Sequence, residues 1–244
     1  MHPSAKVSAV FFDVFGTLVL YPLMPRVEQI AHQLNRCRIR CNPNVLDKTF
    51  AQITGEAGER KSHDGDFARQ ADAHTKVFYS WYYYRLLELL GVSGDLDFLA
   101  QQMFEQYSLI PGYTLDPQVV PVLKVLKRAG IKLGVVSNGP MQVRKVLKDF
   151  GLAPFLQTTV ISDEFGAEKP DASIFLQALH DLATPANECA YVGDVPEADV
   201  AGATNASIAL PVLIDRTGKY PNPGLSCTKI LAMSELLDIL DIRQ

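Results

Sequence analysis

Residues 7–18, with the sequence VSAVFFDVFGTL, decide the fold class of this chain. Apolar residues, interrupted only by Ser8, run up to Asp13. A short run rich in Val and Phe is typical of a strand buried on both faces of a parallel sheet, and Gly16 and Thr17 then favour a turn. Ligands of open α/β sheets gather at the carboxyl ends of the strands, so Asp13 is predicted to face a ligand.

Length, charge and cysteine content exclude several classes of protein. With 244 residues the chain exceeds the usual single domain of about 100–200, so we expect one large domain or a core with an insertion. A net charge of −4 gives no electrostatic reason to expect nucleic acid, and no apolar run approaches the roughly 20 residues of a membrane span. The N-terminus does not read as a signal peptide, and four scattered cysteines fit a reducing compartment, so we expect a cytoplasmic protein. Cys37 and Cys41 could share a helical face as metal ligands, but no second pair follows, so they are interpreted as ordinary thiols.

Downstream of position 110, strand-like runs alternate with helical periodicity. The run 131–136 ends abruptly in Ser137, Asn138 and Gly139, a turn-forming sequence. Further strands are predicted at 158–161, 189–192 and 210–214, and helices at 119–126, 141–150, 172–182, near position 199 and after position 234. This alternation predicts an α/β fold, a Rossmann-like parallel sheet wound on both faces.

Between Tyr21 and Leu109 the pattern is helical and no strand-like run stands out. We therefore predict a core made of residues 1–20 and 110–244, with an inserted all-helical cap domain at 21–109. Five aromatic residues at 79 and 81–84 could line a substrate cleft, but such a stripe favours helix packing.

Polar residues stand at four predicted element ends. Asp13 and Thr17 follow the first strand, Ser137 and Asn138 the second, Lys169 comes after a short loop, and the last group is Asp194 with Asp199. Each alone could be a helix cap, a turn or a surface residue. Together, in this order and at these ends, they predict side chains that share one crevice.

These motifs resemble those of the haloacid dehalogenase-like hydrolase superfamily. The resemblance is carried by four stretches: DVFGTL at 13–18, VSNG at 136–139, KPD at 169–171, and Gly193–Asp194 with Asp199. It implies a Rossmann-like core, with a helical cap inserted between the first and second motifs. It also implies hydrolysis of a small molecule.

The resemblance assigns a role to each of these residues. Asp13 would be the nucleophile, forming an aspartyl intermediate that water later breaks, and Lys169 would offset carboxylate repulsion and hold Asp13 ready. Mg²⁺ would be held by Asp13, the backbone carbonyl of Phe15 and Asp194, with Asp199 orienting that shell. The substrate phosphoryl group would be bound by Thr17, Ser137, Asn138 and Gly139.

Phe15 departs from the pattern of the superfamily's phosphatases. They usually carry a second aspartate at this position as general acid and base, and Phe15 cannot transfer a proton. Dehalogenases resemble this chain in having an aromatic residue there, and halide needs no proton to leave. They tend to work without metal, however, to replace the acidic motif by Ser and Asn, and to have a tyrosine where this chain has Phe175. Asp194 and Asp199 therefore favour a metal-dependent site.

Three functions remain open from the sequence. The first is a Mg²⁺-dependent phosphatase acting on a small phosphorylated metabolite. The second is a 2-haloacid dehalogenase, and the third is a catalytically weak relative that binds a ligand or a partner. The polar residues His63, Asp64, Asp66 and His74 could supply the missing proton donor, although solvated surface is the expected interpretation. Substrate identity and oligomeric state are not encoded in a recognisable motif.

Overall fold

The computed structural model describes residues 7–21, 25–63, 75–106, 112–221, 224 and 226–242, without the side chains of 61–63 and 75–77. The chain divides into two compact units. One, the core, combines Met1–Tyr21 with Thr114–Gln244, and the other, the helical unit, is Pro22–Tyr113. The predicted insertion, 21–109, differs from the helical unit by one residue at its start and four at its end.

A six-stranded parallel sheet forms the centre of the core and confirms the predicted fold class. Its spatial order is β5-β4-β1-β6-β7-β8. These strands are β1 (Ala9–Phe12), β4 (Lys132–Ser137), β5 (Thr158–Ile161), β6 (Cys189–Gly193), β7 (Leu210–Ile214) and β8 (Thr228–Ile230). The chain winds outward from β1 first to one edge and then to the other, so β1 and β6 flank the point where the strand order reverses, where open α/β sheets bind ligands.

Helices flank this sheet. They are α5 (Val119–Arg128), α6 (Val143–Asp149), α7 (Ser162–Phe165), α8 (Ala172–Asp181), α9 (Ala201–Asn205) and α10 (Glu235–Ile239), with a π turn at Pro196–Val200 and 3₁₀ turns at Ala153–Phe155 and Ala186–Glu188. In α5 the apolar residues recur at the helical period, as the sequence predicts, and four of them are buried: Val119, Val122, Leu123 and Leu126. The chain then turns at Gly130, whose φ of 78° suits the glycine that follows a helix.

The helical unit contains α1 (Arg26–Arg36), α2 (Pro43–His63), α3 (Thr75–Leu89) and α4 (Leu96–Glu105). Its core includes Tyr82 and Tyr83 of the aromatic stripe, with Tyr79 and Trp81 packed against it, so this part of the stripe packs between helices. Tyr84 is 36% exposed. Cys37 and Cys41 are free cysteines.

A two-stranded antiparallel ribbon, absent from the sequence prediction, also belongs to the core. It pairs β2 (Val19–Leu20) with β3 (Thr114–Leu115), next to the positions where the chain leaves and re-enters the core. Two-residue strands carry no periodicity, so sequence patterns do not reveal them.

Within the described ranges no helix is long and apolar enough to span a membrane. Asp64, Asp66 and His74 and the side chain of His63 lie outside the described residues, so their predicted role stays a hypothesis.

Candidate active site

Asp13 lies directly after β1, at the carboxyl edge of the sheet. Its backbone N–H donates to the carbonyl of Val192 at 2.9 Å, which continues the β1–β6 pairing by one residue. On the other side of β1, Ser137 ends β4, and its hydroxyl donates to Asp13 Oδ1 at 3.2 Å. Asp13 is thus held between the two neighbouring strands of β1, and its side chain is buried.

Lys169 is the positive charge at the centre of the site. Its Nζ donates to Asp13 Oδ1 at 2.7 Å, to Asp199 Oδ1 at 2.6 Å and to the hydroxyl of Tyr191 at 2.9 Å. Lys169 is only 4% exposed, so its three ammonium hydrogens are all used inside the protein. The structure therefore brings together Asp13, Lys169 and Asp199, which are widely separated along the chain.

Asp199 comes from the π turn that follows β6. Its Oδ2 accepts the backbone N–H of Val195 at 2.9 Å, so both of its oxygens have partners. Gly193 makes this position possible, because a Cβ there would lie 2.1 Å from the Asp199 carboxyl carbon. The glycine before Asp194 therefore makes room for the second acidic side chain.

Asp194 is the site carboxylate that forms no ion pair within the described residues. Its Oδ1 is buried and has no hydrogen-bond partner among the described residues. It lies against the turn after Asp13, where a Cβ on Gly16 would lie 2.1 Å from Asp194 Oδ2. Gly16 also has a φ of +85°, a conformation that favours glycine. Both the space and the backbone conformation at position 16 therefore depend on glycine.

Two carboxyl groups of the site, Asp13 and Asp194, have raised pKa values. Burial raises the pKa of Asp13 to about 6, against the opposing effect of Lys169, and Asp199 adds to the rise. Burial raises the pKa of Asp194 to about 7, with further contributions from Asp13 and Asp199. Burial alone would lower the pKa of Lys169, but Asp13 and Asp199 outweigh it and the pKa rises. Lys169 therefore stays charged, and one positive charge faces three acidic groups.

Oxygen atoms of Asp13, Asp194 and Asp199 all lie within 4.8 Å of one another and could hold a metal ion. Carboxylate oxygens are the ligands that Mg²⁺ prefers. The orphaned Oδ1 of Asp194 fits a cation as its missing partner, because a buried charged oxygen without a partner is costly. The residues present thus fit the predicted Mg²⁺.

Asn138 and Gly139 have partners within the protein that the sequence does not show. The Asn138 amide donates to the Lys169 carbonyl at 2.9 Å and accepts the Lys169 N–H at 2.7 Å, so it fixes the backbone that carries Lys169. The N–H of Gly139 donates to the hydroxyl of Ser162 at 3.1 Å. Their predicted contacts with substrate, like that of Ser137, stay predictions.

The turn at 14–19 is fixed by main-chain bonds. The N–H groups of Leu18 and Val19 donate to the Val14 carbonyl at 2.9 and 2.8 Å, and Gly16 N–H donates to the Val19 carbonyl at 2.7 Å. The hydroxyl of Thr17 is buried and has no partner within the described residues, so it does not fix this turn. Its predicted substrate contact also stays a prediction.

Phe15 is buried within this turn, and its ring stacks on Tyr21 with centroids 6.3 Å apart. An apolar ring therefore occupies the position where the superfamily's phosphatases usually have their acid.

The sequence prediction missed two residues that hold this turn, Arg216 and Asp116. Arg216, just beyond β7, donates from Nη1 to the carbonyl of Gly16 and from Nη2 to the carbonyl of Thr17, the latter at 2.7 Å. Its guanidinium also pairs with the buried carboxylate of Asp116, which follows β3. Positions 16 and 216 are 200 residues apart, so no local signal could have linked them.

Tyr191 on β6 was missed as well. Its hydroxyl donates to the Val136 carbonyl at 2.9 Å and contacts both Lys169 and Asp199. Phe175 packs edge-on against it, with ring centroids 4.9 Å apart. A tyrosine in a buried strand reads as core, and only its hydrogen bonds show that it supports the site.

A sequence model of the haloacid dehalogenase-like hydrolases matches residues 7–207, most of the chain and all four motifs. The chain is a haloacid dehalogenase-like hydrolase. This family membership confirms the resemblance on which the motifs were interpreted.

Curated relatives of this hydrolase include several phosphatases. It is 38% identical over 218 residues to the glyceraldehyde 3-phosphate phosphatase of Methanopyrus kandleri, covering 88% of this chain and 86% of the relative. It is 30% identical over 213 residues to the ribulose-1,5-bisphosphate 5-phosphatase of Halopiger xanaduensis, covering 85% and 84%.

Solved structures with the same fold include both branches of the family. A HAD phosphatase of Thermococcus onnurineus has a TM-score of 0.66 and 23% identity, covering 97% of this hydrolase and 99% of that chain. A 2-haloacid dehalogenase of Pseudomonas syringae has a TM-score of 0.71 and 24% identity, covering 96% and 98%. The fold alone therefore does not separate phosphatase from dehalogenase, and the side chains of the site must decide.

Proposed function

We propose that this hydrolase is a Mg²⁺-dependent phosphatase that acts on a small phosphorylated metabolite through an aspartyl-phosphate intermediate. The observation that carries the proposal is the charge balance of the site, in which Asp13, Asp194 and Asp199 share one ammonium, that of Lys169. A divalent cation offsets the remaining two negative charges and allows a phosphate dianion to approach. The phosphatases among the curated relatives support the same reaction.

Asp13 would carry out the covalent step. Its carboxylate attacks phosphorus, an oxygen–phosphorus bond forms, and the bond to the leaving alkoxide breaks. Water then attacks the phosphorus of the acyl phosphate, the bond from phosphorus to the Asp13 oxygen breaks, and inorganic phosphate leaves as the carboxylate is restored. The bonds from Lys169 and Ser137 to Oδ1 fix the orientation of the nucleophile, and the Lys169 charge favours its ionised form.

Asp13, Asp194 and the carbonyl of Phe15 would hold the Mg²⁺, with Asp199 supporting the site through Lys169 and the 195–199 turn. When bound, Mg²⁺ would neutralise phosphoryl oxygens as a Lewis acid. The alkoxide must take its proton from water or from another residue, because Phe15 offers none.

The test is hydrolysis of p-nitrophenyl phosphate, whose leaving group needs no proton. We expect turnover with Mg²⁺, its loss in chelator, and a fall on the order of 10⁴-fold or more in Asp13→Asn, because the nucleophile is gone. Asp149→Asn is the matched control, since Asp149 is an exposed carboxylate in a surface pair with Lys145. Turnover that persists in Asp13→Asn, or that ignores chelator, contradicts the proposal.

One observation favours a second function, 2-haloacid dehalogenation. Phe15 is a buried aromatic residue where a phosphatase needs its acid, and carbon–halogen cleavage needs no such acid. In that case Asp13 would attack carbon and chloride would leave with the bonding electrons. Chloride release from 2-chloropropionate that continues in chelator would establish this function over the first.

A further inference from the structure

A cavity of about 200 Å³ adjoins the candidate site, and every residue that lines it belongs to the core. Gly16 and Asp194 of the candidate site line it. So do Thr217, Lys219 and Tyr220 from the loop that follows β7. A group bound at Asp194 and a group bound at this loop would therefore share one cavity.

The two basic residues of this cavity differ in how their donors are used. Arg216 spends Nε, Nη1 and Nη2 on Asp116 and on the carbonyls of Gly16 and Thr17. Lys219 Nζ makes one hydrogen bond within the described residues, to the hydroxyl of Tyr220 at 2.9 Å. An ammonium has three hydrogens, so Lys219 keeps two donors for a ligand, whereas four of the five N–H donors of Arg216 already have partners.

The backbone around Lys219 is fixed. Asp215, which is 3% exposed, accepts the N–H of Lys219 at 2.8 Å and that of Tyr220 at 3.0 Å. Lys229 Nζ also donates to the carbonyl of Tyr220, at 3.2 Å. The Asp215 carboxylate is therefore engaged by the loop itself, and little backbone ordering remains to be paid when a ligand binds.

The lining acids do not oppose an anion in this cavity. Asp215 forms an ion pair with Lys229 at 3.4 Å, and Asp194 is the carboxylate that the proposed Mg²⁺ would neutralise. With both acids balanced, Lys219 supplies the cavity with a positive charge beside the Tyr220 hydroxyl, and Glu197 is the further acid whose charge acts on it.

We propose that Lys219 and Tyr220 bind a second anionic group of the substrate, so that the enzyme prefers phosphate monoesters that also carry a carboxylate or a second phosphate. This inference rests on the proposed phosphatase function and adds the substrate class. Specificity is then set partly by the core loop 215–220.

The proposed preference is tested with three small phosphate monoesters that differ only in the group at the end opposite the phosphate. Ethyl phosphate has a methyl group where phosphoglycolate has a carboxylate, and ethylene glycol bisphosphate carries a second phosphate. Their inhibition constants against p-nitrophenyl phosphate turnover are measured with saturating Mg²⁺. The proteins compared are the wild type, Lys219→Met, Lys219→Arg and the control Lys124→Met, which removes an exposed lysine of α5.

We expect the wild type to bind phosphoglycolate or ethylene glycol bisphosphate about tenfold more tightly than ethyl phosphate, because the second anionic group makes a charge-assisted contact. Lys219→Met should bring that ratio close to one, while Lys219→Arg and Lys124→Met should keep it. The preferred ligand identifies whether the second group is a carboxylate or a phosphate.

A ratio near one in the wild type, or a ratio that Lys219→Met leaves unchanged, overturns the inference. Absence of any p-nitrophenyl phosphate turnover would instead count against the proposed function. The same three ligands titrated calorimetrically in Mg²⁺ would still decide the role of Lys219, so the two failures remain distinguishable.

Discussion

The two sides of the candidate site differ in whether their buried carboxylates are paired with an ammonium group. On the Lys169 side, formed by Lys169, Asp199 and Tyr191, the ammonium lies 2.7 Å from Asp13 and 2.6 Å from Asp199, and its hydrogens are all used. On the Asp194 side, formed by Asp194 and the Gly16 turn, a buried carboxylate oxygen has no partner within the described residues. Within the described residues, the Lys169 side therefore contains two ion pairs, while Asp194 forms none. The other side has the donor atoms and the space that a cation would need.

Removing the counter-ion of the Lys169 side should have the largest effect. We expect Lys169→Met to lower the free energy of unfolding by about 3 kcal/mol at pH 8, because it leaves two carboxylates buried beside each other. Turnover should fall on the order of 10³-fold, since Asp13 loses its fixed orientation and its compensating charge. Urea unfolding and p-nitrophenyl phosphate kinetics measure the two effects.

Lys145→Met is the matched control for that change. Lys145 pairs with Asp149 four residues later on α6, and the two side chains are 51% and 48% exposed. An exposed pair of this kind contributes about 0–1 kcal/mol. If the two lysine variants lost equal stability, the contrast between a buried and a solvated counter-ion would be wrong.

Phe15 lies in the turn that joins the two sides. Replacing Phe15 by an acidic residue tests whether a general acid is the only group that the site lacks. Phe15→Asp should raise kcat/KM for alkyl phosphates about 100-fold, because general acid catalysis is typically worth 10² to 10⁴, and it should change p-nitrophenyl phosphate turnover far less. Phe15→Asn is the control, since it has nearly the same shape and carries no proton for transfer. An equal gain in both variants would show that ring removal, and not proton transfer, is responsible. No gain for any leaving group would favour a ligand-binding role.

Sequence patterns located the site residues that directly follow a recognisable apolar strand. Asp13 follows an apolar run that forms β1 in the structure, and Asp194 follows β6 in the same way. The strand ends alone therefore predicted two acidic residues at one edge of a parallel sheet. Gly16 and Gly193 could have been interpreted further, because glycines beside acidic residues leave room for carboxylates.

Residues that act through distant contacts were not predictable in this way. Arg216 looks like an ordinary loop residue, and Asp116 like a turn, until the fold brings both to the carbonyls of positions 16 and 17. Tyr191 is hidden for a different reason: its ring belongs to the core, and only its hydroxyl reaches the site. The sheet order places such partners together, and no periodicity records it.

Arg216 gives a smaller test, of the turn that forms the Asp194 side. Arg216→Met should lower kcat about tenfold with little change in KM for p-nitrophenyl phosphate, because misplaced Gly16 and Thr17 carbonyls disturb the position of neighbouring Asp13. Asp116→Asn keeps the shape of the Asp116 side chain and should have a milder effect in the same direction. A change confined to thermal stability, with kcat intact, would reduce this pair to a structural role.

Asp194→Asn should have the smallest effect on stability, and its sign should be opposite to that of Lys169→Met. The pKa of Asp194 is raised to about 7, above its usual value, so the folded state binds this proton more tightly than the unfolded state does. Stability in chelator should therefore fall as pH rises from about 4 to 7, and the loss should be complete above pH 7. At pH 8 without metal we expect Asp194→Asn to be more stable than the wild type by about 1 kcal/mol, and at pH 4 to show no such gain.

Mg²⁺ should reverse that order. A ligand at 100 times its dissociation constant stabilises the folded state by about 2.7 kcal/mol, so saturating Mg²⁺ should raise the wild type above Asp194→Asn, which lacks one charged ligand. Thermal melts of both proteins at pH 4 and pH 8, each with chelator and with Mg²⁺, measure these stabilities. Asp149→Asn is the control for the loss of an exposed carboxylate. Equal stabilisation of both proteins by Mg²⁺ would place the ion away from Asp194. Equal stability in chelator at pH 8 would mean that the Asp194 carboxylate is already compensated, and the two sides of the site would then not differ.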